Sequence, residues 1–181
     1  MKTHANRQRG VVLIELMLGL VIIAVVIGIG LLIWRATKSS ADSYQTDSGF
    51  DAILGGIKTL YLSPQYALIS TASIIAAEKI PAHMVSGGNQ IVASWGAQIH
   101  IGPSALGGPA GSSFDITFDS VPAEQCSQLV QHGGPQVIKV LVGTTVVKDL
   151  SASPAIADPP VDTVVQACLD GGGNQIVFTS T

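Results

Sequence analysis

Nineteen consecutive residues, Leu16 to Trp34, carry no charged side chain. Extended back to Val11, the apolar stretch is interrupted only by Glu15. As a helix it would span ~36 Å, more than the ~30 Å of a hydrocarbon core. A buried core helix of this length normally keeps one polar face, and this stretch has none. The run therefore predicts a membrane span.

The flanks orient it. Lys2, Arg7 and Arg9 precede the run without an acid, and Arg35 and Lys38 follow it. This bias places the N-terminus in the cytoplasm and exports the bulk of the chain. A secretory signal would have a shorter apolar region followed by a small-x-small cleavage site. Here the chain continues as IWRATKSSADSY, so the span is expected to stay and processing to fall before it.

Composition narrows the classes further. Of 181 residues, 47% are hydrophobic and only 12% charged, against about 25% charged in an average soluble domain. Disordered chains have the opposite balance. A net charge of −3 and a pI near 5.7 offer no basic surface, so no nucleic-acid partner is expected.

Glu15 is the residue that needs a reason. A carboxylate among Val, Leu and Ile costs about 2.5–3.5 kcal/mol on membrane-insertion scales, and such residues are functional by default. The bland alternative is a side chain that merely reaches for the interface. Taken together, the segment RGVVLIELMLGLVIIAVVIGIGLLIW resembles the N-terminus of a type IV prepilin. In that family a basic leader ends in Gly, a membrane aspartic peptidase cuts after it, and the new terminal residue is N-methylated. A Glu stands fifth after the cut. The resemblance implies cleavage between Gly10 and Val11, methylation of Val11 and an assembly role for Glu15. Physically, the cut creates an amine at Val11 that the Glu15 carboxylate of a neighbouring subunit can neutralise, which fixes the axial register. Family members often carry a helix-breaking Pro where this chain has Leu32. Gly28 and Gly30, each costing about 1 kcal/mol relative to Ala in a helix, are the expected substitute. Gly19 would allow close helix approach.

Beyond the span, Tyr44, Phe50, Ile53, Leu54, Ile57, Leu60 and Tyr61 recur mostly at helical spacing. One helix is expected to continue to Leu62, ending before Ser63-Pro64, with Gly55-Gly56 marking a kink or close packing. A second helix is expected over 68–79. Short β-like runs follow at 90–94, 97–101, 114–118, 137–142, 146–150 and 175–179, with Gly143-Thr144-Thr145 as a hairpin turn. The hexamer GGNQIV occurs at 87–92 and again at 172–177, which suggests one turn-into-strand solution used twice. A short helix is expected at 121–131 with Pro122 in its first turn, and an exposed loop at 152–162. The expected organisation is a leader (1–10), a membrane-spanning polymerisation helix (11–34), the exported half of that helix (35–62) and one α+β domain (63–181) with the helix on an antiparallel sheet.

Cys126 and Cys168 enclose 41 residues. In an exported chain a disulfide is the favoured reading, contributing roughly 4 kcal/mol by loop entropy. Metal binding is the rival, but no His or second Cys lies at ligand spacing near either. The stretches NQIVASWGAQIHI and FDITFDSVPAEQC, with the second Cys before GGGNQIVFTS, resemble the exported domain of type IVb pilins. That group includes the subunits of toxin-coregulated, bundle-forming and conjugative thin pili, and the last of these is the most similar. The resemblance implies a sheet whose last strand inserts toward the middle, and a Cys pair that staples the edge region.

Catalytic signatures are absent from the sequence, and neither enzyme activity nor a cofactor or metal is expected. His83, His100 and His132 are scattered. Asp115 and Asp119 would share a strand face ~13 Å apart, too far for joint acid–base work. Trp34 fits an interfacial anchor, and Trp95 a core or sheet-face aromatic. The leading reading is a homo-oligomeric pilus subunit, resident in the bacterial inner membrane as a prepilin and then extracellular. It would be served by prepilin peptidase and assembly machinery, for adhesion, aggregation or mating-pair contact. Alternatives are a minor pilin, a secretion-system pseudopilin, a membrane-anchored binding domain or, last, a tethered enzyme.

Processing gives the first prediction. Mass spectrometry of the mature chain should find Val11 N-terminal with one added methyl. Loss of Lys2, Arg7 and Arg9 should shift its isoelectric point toward acid. A mature chain still beginning at Met1 would exclude this reading.

Overall fold

The computed structural model describes residues 5–62, 65–157, 160–168 and 173–181, except for the side chains at 5–13 and 32–43. By contacts the chain separates into two units, Met1–Ser40 and Ala41–Thr181. Helix α1 runs Ala5–Leu60, contributing to both.

In the first unit, α1 is continuous through Gly28 and Gly30. A Cβ on Gly19, Gly28 or Gly30 would meet nothing within 4 Å. None of the window Ile14–Leu31 is buried, and the helix is long and apolar enough there to cross a membrane.

In the second unit, α1 becomes a core element. Phe50, Ile53, Leu54 and Ile57 are buried, the three- and four-residue spacing that one helix face requires. Tyr44, grouped with them by spacing, is instead 76% exposed. Gly56 is where the chain packs closest: a Cβ there would sit 2.7 Å from Lys79 Cβ. Close packing, rather than a kink, is the reason for Gly at that position.

Helix α2, Thr71–Ala76, is shorter than the 68–79 expected. Ser70 and Ser73 form a reciprocal capping box that fixes its start. At the other end Glu78 takes a positive φ of 54°, which no helix continues through. A 3-10 turn at Ala82–Met84 then leads into the sheet.

Seven strands form one antiparallel sheet: β1 Val85–Ser86, β2 Gln90–Val92, β3 Gln98–Ser104, β4 Ser113–Val121, β5 Lys139–Val142, β6 Thr145–Asp149 and β7 Asn174–Ser180. Their spatial order is β1-β2-β3-β4-β7-β5-β6, with β7 between β4 and β5, as the resemblance implied. The two copies of GGNQIV enter β2 and β7 alike, with Gly88 and Gly173 at positive φ and Ile91 and Ile176 pointing into the core. Pro103 is tolerated in β3 because β2 pairs only with Gln98 and Ile99, leaving that side of Pro103 outside the ladder. Gly143 (φ 58°) and Thr144 make the two-residue β5–β6 turn.

The inner sheet face presents Ile99, Ile101, Phe114, Ile116, Phe118, Val140, Ile176 and Phe178, all buried. Phe50 of α1 meets this face, its ring centroid 4.8 Å from Phe178 and 6.2 Å from Phe118. Helix α3, Ala123–Gly133, starts after Pro122 and buries Cys126, Leu129 and Val130. Gly133 lets it close on the aromatic cluster, since a Cβ there would lie 2.9 Å from the Phe178 ring.

Helix α4, Val161–Cys168, begins inside a segment expected to be loop. The Pro160 carbonyl accepts its first hydrogen bonds, from Thr163 N at 2.9 Å and Val164 N at 3.3 Å. Cys126 and Cys168 form a disulfide that joins α3 to α4, and both residues are buried. The Asn174 amide donates to the Cys168 carbonyl at 3.1 Å, which satisfies one carbonyl at the helix end.

Cys126→Ser should cost about 2–5 kcal/mol of stability. The check is thermal unfolding of exported chain with and without reductant. Equal midpoints for oxidised, reduced and variant chains would show that the α3–α4 link does not stabilise the fold.

Candidate functional site

The segment with the strongest functional signature is α1 from Ile14 to Leu31. Its large apolar side chains are exposed along their whole length, and Glu15 is the one ionisable residue among them, also exposed. Gly10 and Val11 lie on the same helix but among residues whose side chains are outside the description. The same is true of Arg7, Arg9 and Trp34, and Lys2 lies outside the described residues altogether. The structure therefore places Glu15 in an apolar helical segment that no described residue of its own unit covers.

In the second unit the sequence-selected polar residues separate into unconnected networks. Asp115 accepts from Thr179 Oγ1 at 2.6 Å. Asp119 accepts from Gln175 Nε2 at 2.8 Å and pairs with His100 Nε2 at 3.0 Å. Each carboxylate is thus occupied by a cross-strand neighbour on β7 or β3, a sheet-face role. Trp95 Nε1 donates to the Asp119 carbonyl at 3.3 Å, and its ring packs against the core near Phe118.

The bulge at Phe118/Val121 positions this group. Ser120 adopts φ 50° there, and Gly173 passes so close that a Cβ would meet Ser120 Cα at 3.0 Å. Among the described residues, no group of three or more His, Cys, Asp or Glu could hold a metal ion.

Two further clusters were not singled out from the sequence. Asp51 on α1 receives Gln136 Nε2 at 2.8 Å and lies 3.0 Å from His132 Nε2, which ties α1 to α3 and the 3-10 turn after it. One helical turn earlier, burial raises the Asp47 carboxyl above its ordinary range, opposed by His132 and reinforced by Asp51. The second cluster is at the end of β6. Asp149 Oδ1 accepts from Ser151 Oγ at 2.6 Å, Ser151 N at 3.0 Å and Ala152 N at 3.1 Å. Its other oxygen lies 3.1 Å from Lys139 Nζ. The Ser151 hydroxyl, followed by Lys139, holds the Asp149 carboxyl below its ordinary range, against the opposing effect of burial. The signal for this second cluster was local: Asp two residues before Ser, at a strand end, is an Asx-turn pattern.

A lowered carboxyl gives a defined pH dependence. Asp149 contributes its full stability above the unfolded value near 3.8, and loses it as pH falls through the lower folded value. Asp149→Asn should therefore cost about 1.5–3 kcal/mol at neutral pH. The difference from the natural chain should shrink as pH falls below 3.8 and through the lowered folded value. Unfolding midpoints measured across that range would show it, and a gap that persists undiminished into acid would refute the assignment.

A family model described as PilS N terminal matches residues 40–181. No curated protein matches the chain by sequence. Among solved structures, the chain is similar to TcpA, a type IV pilin from the Vibrio cholerae El Tor biotype. The TM-score is 0.56 at 16% identity, covering 78% of this chain and 99% of that one. It is also similar to a type IVb pilin from Salmonella typhi. There the TM-score is 0.52 at 22% identity, covering 79% and 97%. At these identities the likeness establishes the fold, and that fold is the α+β pilin fold.

Proposed function

The chain belongs to the PilS N-terminal family, and from that premise we propose that it is the structural subunit of a type IVb-like pilus. It polymerises through α1 into a surface filament of identical copies that serves adhesion, aggregation or mating-pair contact. In this reading the chain is inserted in the inner membrane as a prepilin. Prepilin peptidase cuts between Gly10 and Val11, Val11 is methylated, and the assembly machinery moves the subunit into the filament.

The observation that carries the proposal is the uncovered apolar stretch of α1 with Glu15 as its single ionisable group. An anchor alone would need neither Glu15 nor a Gly10-Val11 junction before it. The segment lies ahead of the residues that the family model matches, so its support is the residue pattern itself. The exported unit adds the type IVb features: β7 between β4 and β5, and the Cys126–Cys168 link.

Glu15→Val separates an assembly residue from an incidental one. Removing a carboxylate should ease insertion by about 2.5–3.5 kcal/mol, so a membrane anchor would be unharmed or improved. If Glu15 neutralises the Val11 amine of a neighbour, the variant leaves that amine unpaired in an apolar bundle. Losing one partner of such a pair costs about 3–5 kcal/mol at every subunit. The expected result is processed, membrane-resident chain with few or no filaments in sheared surface preparations. Abundant filaments built from Glu15→Val subunits alone would overturn the role.

A further inference from the structure

Lys148 lies on β6 and is only 5% exposed. The bulge between β5 and β6 turns it inward, and its Nζ donates to the Gly134 carbonyl at 2.8 Å. That is its single hydrogen bond among the described residues, which leaves two of three N–H donors unused. No described carboxylate lies within ion-pair distance of it. Asp149, the next residue, is committed to Lys139 and Ser151.

Lys148 and Gly134 both line a pocket of about 160 Å³ whose remaining walls are mostly apolar, among them Val130, Val140, Val147 and Val164. Val161, 62% exposed, lines its rim. Val161 is also the first residue of α4, whose first turn carries Asp162. A cavity of similar size accepts a benzene-sized molecule.

We propose that this pocket binds a small monocarboxylate with a short apolar tail, of the size of pentanoate. The carboxylate would take the two spare Lys148 donors near the Gly134 carbonyl. The tail would lie against Val130, Val140, Val147 and Val164. Charge selects an acid over an alcohol, and the apolar walls select a tail over acetate. The site is separate from α1 and independent of the assembly reading.

The test uses the full chain in lipid nanodiscs and pentanoate as probe, followed by ligand-observed saturation-transfer NMR. Pentanoate should bind saturably with Kd on the order of millimolar, as expected for a ligand of few atoms. Pentanol and acetate should bind at least about tenfold more weakly. Lys148→Met should weaken pentanoate by a similar factor while far-UV circular dichroism stays native. Val161→Phe, at an exposed position, should narrow the rim and weaken pentanoate even if the Lys148 variant fails to fold. Undiminished pentanoate binding to either folded variant would overturn the proposal. So would equal binding of pentanol, or no saturable binding by about 20 mM.

Discussion

Thirteen large apolar side chains between Ile14 and Leu31 are exposed, and nothing in their own unit covers them. Fully burying each one is worth roughly 1.5–3 kcal/mol. Together they outweigh the ~5–15 kcal/mol that holds a typical domain folded. In the proposed reading lipid, and then other copies of the same helix, cover the segment, and the two environments are nearly equivalent for Val, Leu and Ile. Hydrophobicity alone therefore gives little preference for a filament over a membrane. A charged group discriminates where apolar ones do not, because lipid offers a carboxylate no partner and a neighbouring amine does. In the proposed reading, Glu15 supplies that discrimination.

The second unit solves the complementary problem. The same helix must bury one face, and from Phe50 onward its apolar residues contract from all-round to a stripe. The stripe packs on an inner sheet face whose aromatic residues come from distant strands, Phe118 on β4 and Phe178 on β7. Close approach is made possible by absent side chains, Gly56 against Lys79 and Gly133 against the Phe50 and Phe178 rings. At these two positions of the second unit, then, glycine marks contact. In the apolar segment a Cβ on Gly19, Gly28 or Gly30 would meet nothing within 4 Å.

Much of this was legible because its signals are local and periodic. The apolar run, the stripe from Phe50 to Ile57, six of the seven strands and the helix after Pro122 all follow from spacing and turn residues. What was missed depends on packing at a distance. Helix α4 is rich in β-branched residues, Val161, Thr163, Val164 and Val165, which are weak helix formers. It stands because Cys168 is tied to Cys126 and Val164 is buried. Two-residue β1 is too short to show alternation. The β5–β6 bulge breaks parity, so Val147, Lys148 and Asp149 are buried in succession where a strand pattern would turn Lys148 outward. The Gly10–Val11 junction and Glu15 differ again. Their residues stand out by pattern, but in the proposed reading their partners are a peptidase and a neighbouring copy, which a single chain does not contain.

The sheet order sets how the parts depend on one another. β7 pairs with β4 on one side and β5 on the other, so without it the sheet would fall into a β1–β4 group and a β5–β6 hairpin. Phe178 on this strand is also the closest aromatic neighbour of Phe50 on α1. One strand therefore joins both halves of the sheet and seats the helix. The segment that leads into it passes through α4, which the disulfide fastens to α3 before the chain reaches Asn174. The link shortens the search of β7 for its slot, since loop closure is easier from a fastened point than from a free chain. In the proposed reading the N-terminus stays inside and the second unit emerges in chain order, presenting β1–β4 before β7, with an open sheet edge waiting at β4. Fastening α4 to α3 favours filling that edge with the chain's own β7 over pairing with a neighbour. In the proposed reading the staple thus favours a second unit that closes on itself, leaving the exposed apolar segment of α1 as the surface for other copies.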